Sequence, residues 1–359
     1  MPLQSTRHII MMEPVGFHSN PETVETNTYQ SPDPDDTGKV NAAAAREFRG
    51  LRDALVSHGV FVTTFLGTAE SPDDIFCNNW VSTHPRDDGT AGMVLYPMLA
   101  QNRRIERRPE IMHWLSGRYD VILDLSAEEL QGRYLESTGS LALDRVNKRA
   151  YCALSSRSDE TLAQAWCDAM GFELITFNTR NHVGKPVYHT DVVMFVGTGL
   201  MGVCADCIVP DDVDRVLGRM RETHRVMTLT MDQLRSFCGN ALEVRGADFG
   251  GAVGPHGFDA TYDLQTTDTR AVPRPAPEIS GYDKTTIKSQ VSSGLQGQTI
   301  GVGSIERRYL ALSSAAYSAL SPDQKDLIAM YFDGGVITSP IPTIERYGGG
   351  SVRCMLLEG

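Results

Sequence analysis

A helix running into a glycine and then into a β-rich run recurs along this chain with a nearly fixed period. Residues 39–57 carry apolar positions at helical spacing, stop at Gly59 and continue as Val-Phe-Val-Thr-Thr-Phe over 60–65. The pattern returns at 109–116, Gly117 and 121–125, then at 160–170, Gly171 and 172–177, so the glycines stand 58 and 54 residues apart. A fourth helix at 211–223 leads into 226–229, and a fifth at 322–332 passes Gly334-Gly335 into 336–338. Glycine after a helix is the expected left-handed stop, and Asp or Ser ahead of a helix supplies its N-cap. Strand-like pairs at 92–99, 141–154 and 192–209 fill the gaps, so each unit reads strand, strand, helix, strand. A period above about 50 residues is too long for a solenoid and suits a ring of compact supersecondary units. The step from the fourth helix to the fifth is twice the others, which predicts an insertion of approximately residues 246–307, rich in Gly, Thr, Ser and Pro, before the last unit. The whole, 1–359, reads as a single α/β domain.

Composition narrows the function. With 41% hydrophobic residues the chain can bury a large core, and its net charge of -12, from 33 basic and 45 acidic residues, disfavours a nucleic-acid partner. The first apolar run, before Glu13 and Pro14, is too short for a signal peptide or membrane helix, so neither membrane nor export is expected. Seven scattered cysteines, an odd number, do not make a disulfide framework and fit a reducing, cytoplasmic setting. Two motifs are decoys. Gly197–Gly202 matches GxGxxG, but a strand-like run follows instead of a helix, so a hairpin turn is expected. Cys204 and Cys207 form a lone CxxC whose strand alternation would point them to opposite faces, against metal binding or thiol redox. The paired arginines Arg103-Arg104 and Arg107-Arg108 read as a solvated loop face.

Chemistry concentrates where apolar strands begin or end. Asn79, Glu136 and His189 are separated by 57 and 53 residues, the period of the helix–glycine units. Equivalent positions in a ring of repeats converge on its axis, which would gather them in one central pocket with Cys354 from the last unit. The competing reading makes each a separate turn or edge residue. Cysteine is the strongest nucleophile at neutral pH once a cation or bound substrate favours its thiolate. Histidine shuttles the proton. Carboxylates at Glu136 and Asp191 cannot assist a thiolate, so they are expected to hold a cationic or N–H-rich group. The set points to attack on a planar guanidino or ureido carbon, with no metal or organic cofactor implied. Glycines 348–350, ahead of Cys354, would let the backbone approach a substrate closely.

The motifs PDDIFCNNWVSTH, ESTGSLALD, ALSSR, YHTDVVM, GNALEV and IPTIERYGGGSVRCM resemble, in order and spacing, the guanidino-group-modifying (pentein, or amidinotransferase) superfamily. The chain is most similar to its arginine-deiminase-related members, which include citrulline hydrolases (citrulline ureidases). The resemblance implies a five-bladed α/β propeller of pseudo-repeated ββαβ units. It also implies that Cys354 forms a covalent thiouronium-type adduct, that His189 protonates the leaving amine and then activates water, and that Glu136 and Asp191 anchor planar N–H groups. Arg157 falls where arginine deiminases bind the substrate α-carboxylate. Asn79 departs from the family, which has an aspartate there; an amide both donates and accepts, which suits a neutral ureido group. The implied function is hydrolysis of a non-peptide C–N bond, with citrulline, giving ornithine, carbon dioxide and ammonia, ahead of an arginine or methylarginine deiminase-type reaction. Amidino transfer and a non-enzymatic binding module are the remaining alternatives. The implied partner is a small amino acid, and a homo-oligomer is left open.

Overall fold

The computed structural model describes residues 3–32, 36–86, 88–248, 259–262 and 305–359. Five small mixed sheets are present among them. Four repeat one order: an antiparallel strand pair, a helix, and a third strand parallel to the second. They are Val81–Pro85, Ala91–Leu95 and Asp120–Asp124 around helix Pro109–Ser116; Ala142–Asp144, Arg149–Ala153 and Glu173–Phe177 around Glu160–Met170; Met194–Val196, Leu200–Cys204 and Arg225–Leu229 around Pro210–Arg221; and Leu242–Asp248, Ile305–Ser313 and Gly335–Ser339 around Pro322–Tyr331. The fifth sheet is closed by both ends of the chain. Leu357–Glu358 pairs antiparallel with His8–Glu13, helix Thr37–Ser57 follows, and Phe61–Leu66 lies parallel to His8–Glu13. Asp259–Tyr262 adds a further parallel strand at its edge.

The local signals behave as the physics requires, with one exception. Asp159 accepts a hydrogen bond from the Leu162 amide at one end of its helix, and Gly171 stops the other at φ +69°. Gly117 instead stays right-handed at φ -74°, because the chain there turns with Arg118 and Tyr119 amides both returning to the Leu115 carbonyl. The long segment also sits differently from the sequence expectation. Gly246 pairs with Arg307 and Asp248 with Ile305, so it opens inside the strand pair of the last sheet, not ahead of it. Its interior, 249–258 and 263–304, lies outside the described residues. No helix among the described residues is long and apolar enough to cross a membrane.

What places the functional residues is a set of short buried turns, each just ahead of the first strand of a sheet: Cys77–Asn79, Ser137–Ser140, Thr190–Val193, the turn at 237–240, and Val352–Met355. Neighbouring turns are joined around a closed circuit. Thr138 Oγ1 donates to the Asn78 carbonyl (3.2 Å), Thr190 Oγ1 to Ser140 O (2.5 Å), Asn240 Nδ2 to Asp191 O (3.0 Å), the Arg353 amide to Asn240 Oδ1 (2.9 Å), and Cys77 Sγ to Met355 O (3.6 Å). Below the circuit, Glu358 in the closing strand pairs with Arg145 (3.2 Å) and Arg353 (3.0 Å), all three buried. Removing one partner of a buried ionic set leaves uncompensated charge. Glu358→Ala is therefore expected to lower unfolding free energy by about 3–5 kcal/mol in urea melts, and a loss under about 1 kcal/mol would show that the triad does not anchor the closing strand.

Candidate active site

Each turn delivers one side chain into a compact polar cluster. Asn79 is held on both sides: its Oδ1 accepts from Arg103 Nη1 (2.7 Å) and its Nδ2 donates to Asn78 Oδ1 (2.8 Å). Glu136, fully buried, uses both oxygens, Oε1 accepting the Leu99 amide (3.0 Å) and Oε2 accepting His189 Nε2 (2.8 Å) with Arg157 Nη1 3.6 Å away. A carboxylate can only accept here, so His189 Nε2 carries the N–H of this bond, and Nδ1 has no protein partner. Burial pushes the Glu136 carboxyl up, but Arg157 and the His189 hydrogen bond outweigh it and bring it down to about 2. The stability carried by that depressed value is present above the ordinary 4.5 and is lost as pH falls towards about 2.

Cys354 occupies the fifth turn. Its thiol donates to Asp191 Oδ2 (3.4 Å) and receives a hydrogen bond from Asn240 Nδ2 (3.1 Å). Burial, and then the Asp191 charge, push this thiol well above its ordinary range. Asp191 is itself raised by burial, receives Asn78 Nδ2 on Oδ2 (3.2 Å) and leaves Oδ1 unpartnered. Burial and Asp191 both favour the neutral thiol of Cys354 over the thiolate.

Four of the six expected site residues, Asn79, Arg157, His189 and Cys354, border one cleft. Glu136 stands behind His189, and Asp191 lies behind the sulfur, on the wall of a second cavity. That second cavity touches neither Cys354 nor His189. Arg157 lies over the Tyr188 ring at 4.9 Å and donates to Thr26 Oγ1 (2.7 Å).

Three participants escaped the sequence reading. Asp73 borders the cleft with Oδ1 unpartnered, while Oδ2 accepts from Asn20 Nδ2 (2.9 Å). Arg103, expected on a solvated loop, is 2% exposed in the cleft wall because Glu106, one turn on, neutralises it at 2.7 Å. Asn240 lies 51 residues after His189, so the period would have found it. The decoys resolve plainly. The GxGxxG stretch is the hairpin turn between Met194–Val196 and Leu200–Cys204. The CxxC alternation argument does not apply, since the strand ends at Cys204, and Cys207 Sγ donates back to Cys204 O at 3.1 Å. No group of three or more His, Cys, Asp or Glu among the described residues is placed to hold a metal.

The electrostatics of the sulfur give a direct expectation. Asp191→Asn removes the charge that opposes the thiolate. Alkylation of Cys354 by iodoacetamide at pH 8, followed by peptide mass spectrometry, should accelerate several-fold even where turnover is lost. An unchanged or slower rate would show that Asp191 does not govern the thiol.

The family model described as N,N dimethylarginine dimethylhydrolase, eukaryotic, matches residues 13–253 and 279–359. No curated protein matches the chain by sequence. Among solved structures, apo ArgZ, an arginine dihydrolase from the ornithine–ammonia cycle in cyanobacteria, aligns with a TM-score of 0.62 at 14% identity, over 98% of this chain and 40% of that one. The chain thus spans about two fifths of ArgZ. The isolated ArgZ N-terminal domain, a mutant bound to substrate, aligns at 0.62 and 12% identity over 98% of this chain and 97% of that one. A dimethylarginine dimethylaminohydrolase variant carrying an S-methyl-L-thiocitrulline adduct aligns at 0.53 and 13% identity, over 98% and 99%. These likenesses show a shared fold of small mixed sheets. The chain belongs to the eukaryotic N,N-dimethylarginine dimethylhydrolase family, within the guanidino-modifying pentein superfamily.

Proposed function

We propose that this chain hydrolyses a non-peptide C–N bond at the ureido or guanidino head of a free amino acid, with citrulline as the favoured substrate, on a five-bladed α/β propeller whose axis carries the site. The observation behind the reading is a buried thiol and His189, itself held from behind by Glu136 at 2.8 Å, on the walls of one cleft that also holds two arginines. Cys354 attacks the planar carbon as thiolate, forming the S–C bond. His189 Nδ1 takes the thiol proton and passes it to the departing nitrogen, so the C–N bond breaks and ammonia leaves. The same nitrogen then takes a proton from water, whose oxygen displaces the sulfur. From citrulline the carbamate released falls to ornithine and carbon dioxide. Arg157 receives the α-carboxylate. The seven free, buried thiols fit a reducing, cytoplasmic setting.

The choice of citrulline follows from the hydrogen-bond inventory of the cleft. Asn79 Nδ2 has a second N–H to offer a carbonyl oxygen, while Asp73 Oδ1 accepts an N–H. A ureido head presents both; a guanidinium has only donors. One observation favours the second reading, arginine or a methylated arginine. The thiol has Asp191 beside it and no basic partner, so a cationic head would itself bring the sulfur to thiolate. Amidino transfer would need water kept from the adduct, and the 246–307 segment expected to do so lies largely outside the described residues.

Ammonia, ornithine and citrulline release should be measured over citrulline, arginine, methylated arginines and agmatine. Citrulline yielding ornithine and ammonia one to one is expected, and arginine turnover to citrulline without turnover of citrulline itself would overturn the substrate choice. Cys354→Ala should fold normally and lose at least about 10³-fold in kcat. Full activity in that variant would end the covalent mechanism.

A further inference from the structure

The fourth turn supplies a residue that the mechanism above does not use. Asn240 is completely buried, and its amide makes three hydrogen bonds: Oδ1 accepts the Arg353 N–H (2.9 Å), and Nδ2 donates to Asp191 O (3.0 Å) and to Cys354 Sγ (3.1 Å). A backbone N–H can only donate and a backbone carbonyl can only accept, so the amide has one orientation, with its NH₂ towards the sulfur. The turn is shaped for this approach. Phe237 holds φ +57°, and a Cβ on Gly239 would stand 2.5 Å from Val192 O and 2.8 Å from Val193 C. Asn240 does not border the cleft, so it meets the reacting sulfur without meeting the substrate.

We propose that Asn240 is a further catalytic residue, whose side-chain N–H holds the Cys354 sulfur and stabilises its thiolate when the S–C bond forms and again when water breaks it. The proposal rests on Cys354 being the nucleophile. Asp191 keeps the proton on the sulfur, while the Ser351 backbone and then the Asn240 side chain offer donors to the anion, Asn240 being the side chain that does so. Both Asn240 partners on the far side are backbone groups of the adjoining turns, so the donor is aimed before the charge develops and needs no reorganisation when it does. The same hydrogen bond is among the influences that pull the Cys354 thiol back down against burial and Asp191. A donor to a charged acceptor in a dry site carries more than one between neutral groups.

Asn240→Ala and Asn240→Asp test this. Alanine removes the donor. Aspartate keeps the shape and the acceptor for the Arg353 N–H but puts a negative group against the sulfur. Asn240→Ala is expected to lower kcat about 10- to 100-fold with KM nearly unchanged. The pH profile of Cys354 alkylation by iodoacetamide should move to higher pH in both variants, further in Asn240→Asp. A purely structural role predicts that folded Asn240→Ala keeps the wild-type alkylation profile, and an unmoved profile there would overturn the proposal. Should the variants fail to fold, the wild-type chain labelled with ¹⁵N-asparagine decides. The Asn240 side-chain amide resonance must shift as Cys354 ionises and must lose that titration once Cys354 is alkylated, and a static resonance would likewise overturn the idea. Alkylation and resonance readouts need no turnover, so a fully active Cys354→Ala would remove the covalent reading while still leaving the sulfur–amide contact to be judged on its own.

Discussion

The circuit of hydrogen bonds through the five buried turns is the constraint on which the rest depends. No sheet here could stand alone: the inner strands run only two to seven residues, and sheets of three short strands need a packed neighbour. At the turns, buried backbone groups must find partners, and they find them in the next turn along. Thr138, Thr190, Asn240 and Cys77 each spend a side-chain donor on a neighbour's carbonyl. A side chain carried by one turn is thereby registered against those of the turns beside it. That is how Asn79, Glu136, His189, Asn240 and Cys354, spread over most of the chain, come within hydrogen-bonding range of one another's partners.

Charge is arranged around the sulfur by exclusion. Arg103 is matched by Glu106, Arg157 stands near Glu136, and Arg353 shares Glu358 with Arg145, so each of these guanidiniums has a carboxylate beside it. Only Asp191 faces the thiol. A cysteine made reactive in the resting state would sit beside a cation or a helix N-terminus. Here burial and Asp191 favour the protonated thiol instead, so on the proposed reading its activation would come with the substrate.

Much of this was legible from the chain and some was not, for physical reasons. The period placed Asn79, Glu136 and His189 because it records position in a unit, and position decides which turn a residue occupies. It cannot record pairing. Arg103 looked solvated because its neutralising partner Glu106 reads, in sequence, as one more charge in a charged stretch. The closing of the first sheet by Leu357–Glu358 left no periodic signal, since two residues are too few to alternate. Asn240 was within reach of the period yet passed over, because a lone asparagine carries no chemistry until its partners are known.

The rule of paired buried polar groups is relaxed at several places among the described residues, Thr64 and Ser158 for instance, and the site is one of them. Asp73 Oδ1, Asp191 Oδ1 and His189 Nδ1 are buried and have no protein partner. Leaving such a group unmade costs about 1–3 kcal/mol, so these atoms are a standing cost to the fold. Their neighbours are saturated: Glu136 uses both oxygens and Asn240 both ends of its amide. Saturated groups fix geometry, and unsaturated ones receive. On the proposed reading, a planar head rich in N–H groups would pair with Asp73 Oδ1 at the cleft, and the free energy released there would draw the planar carbon towards Cys354.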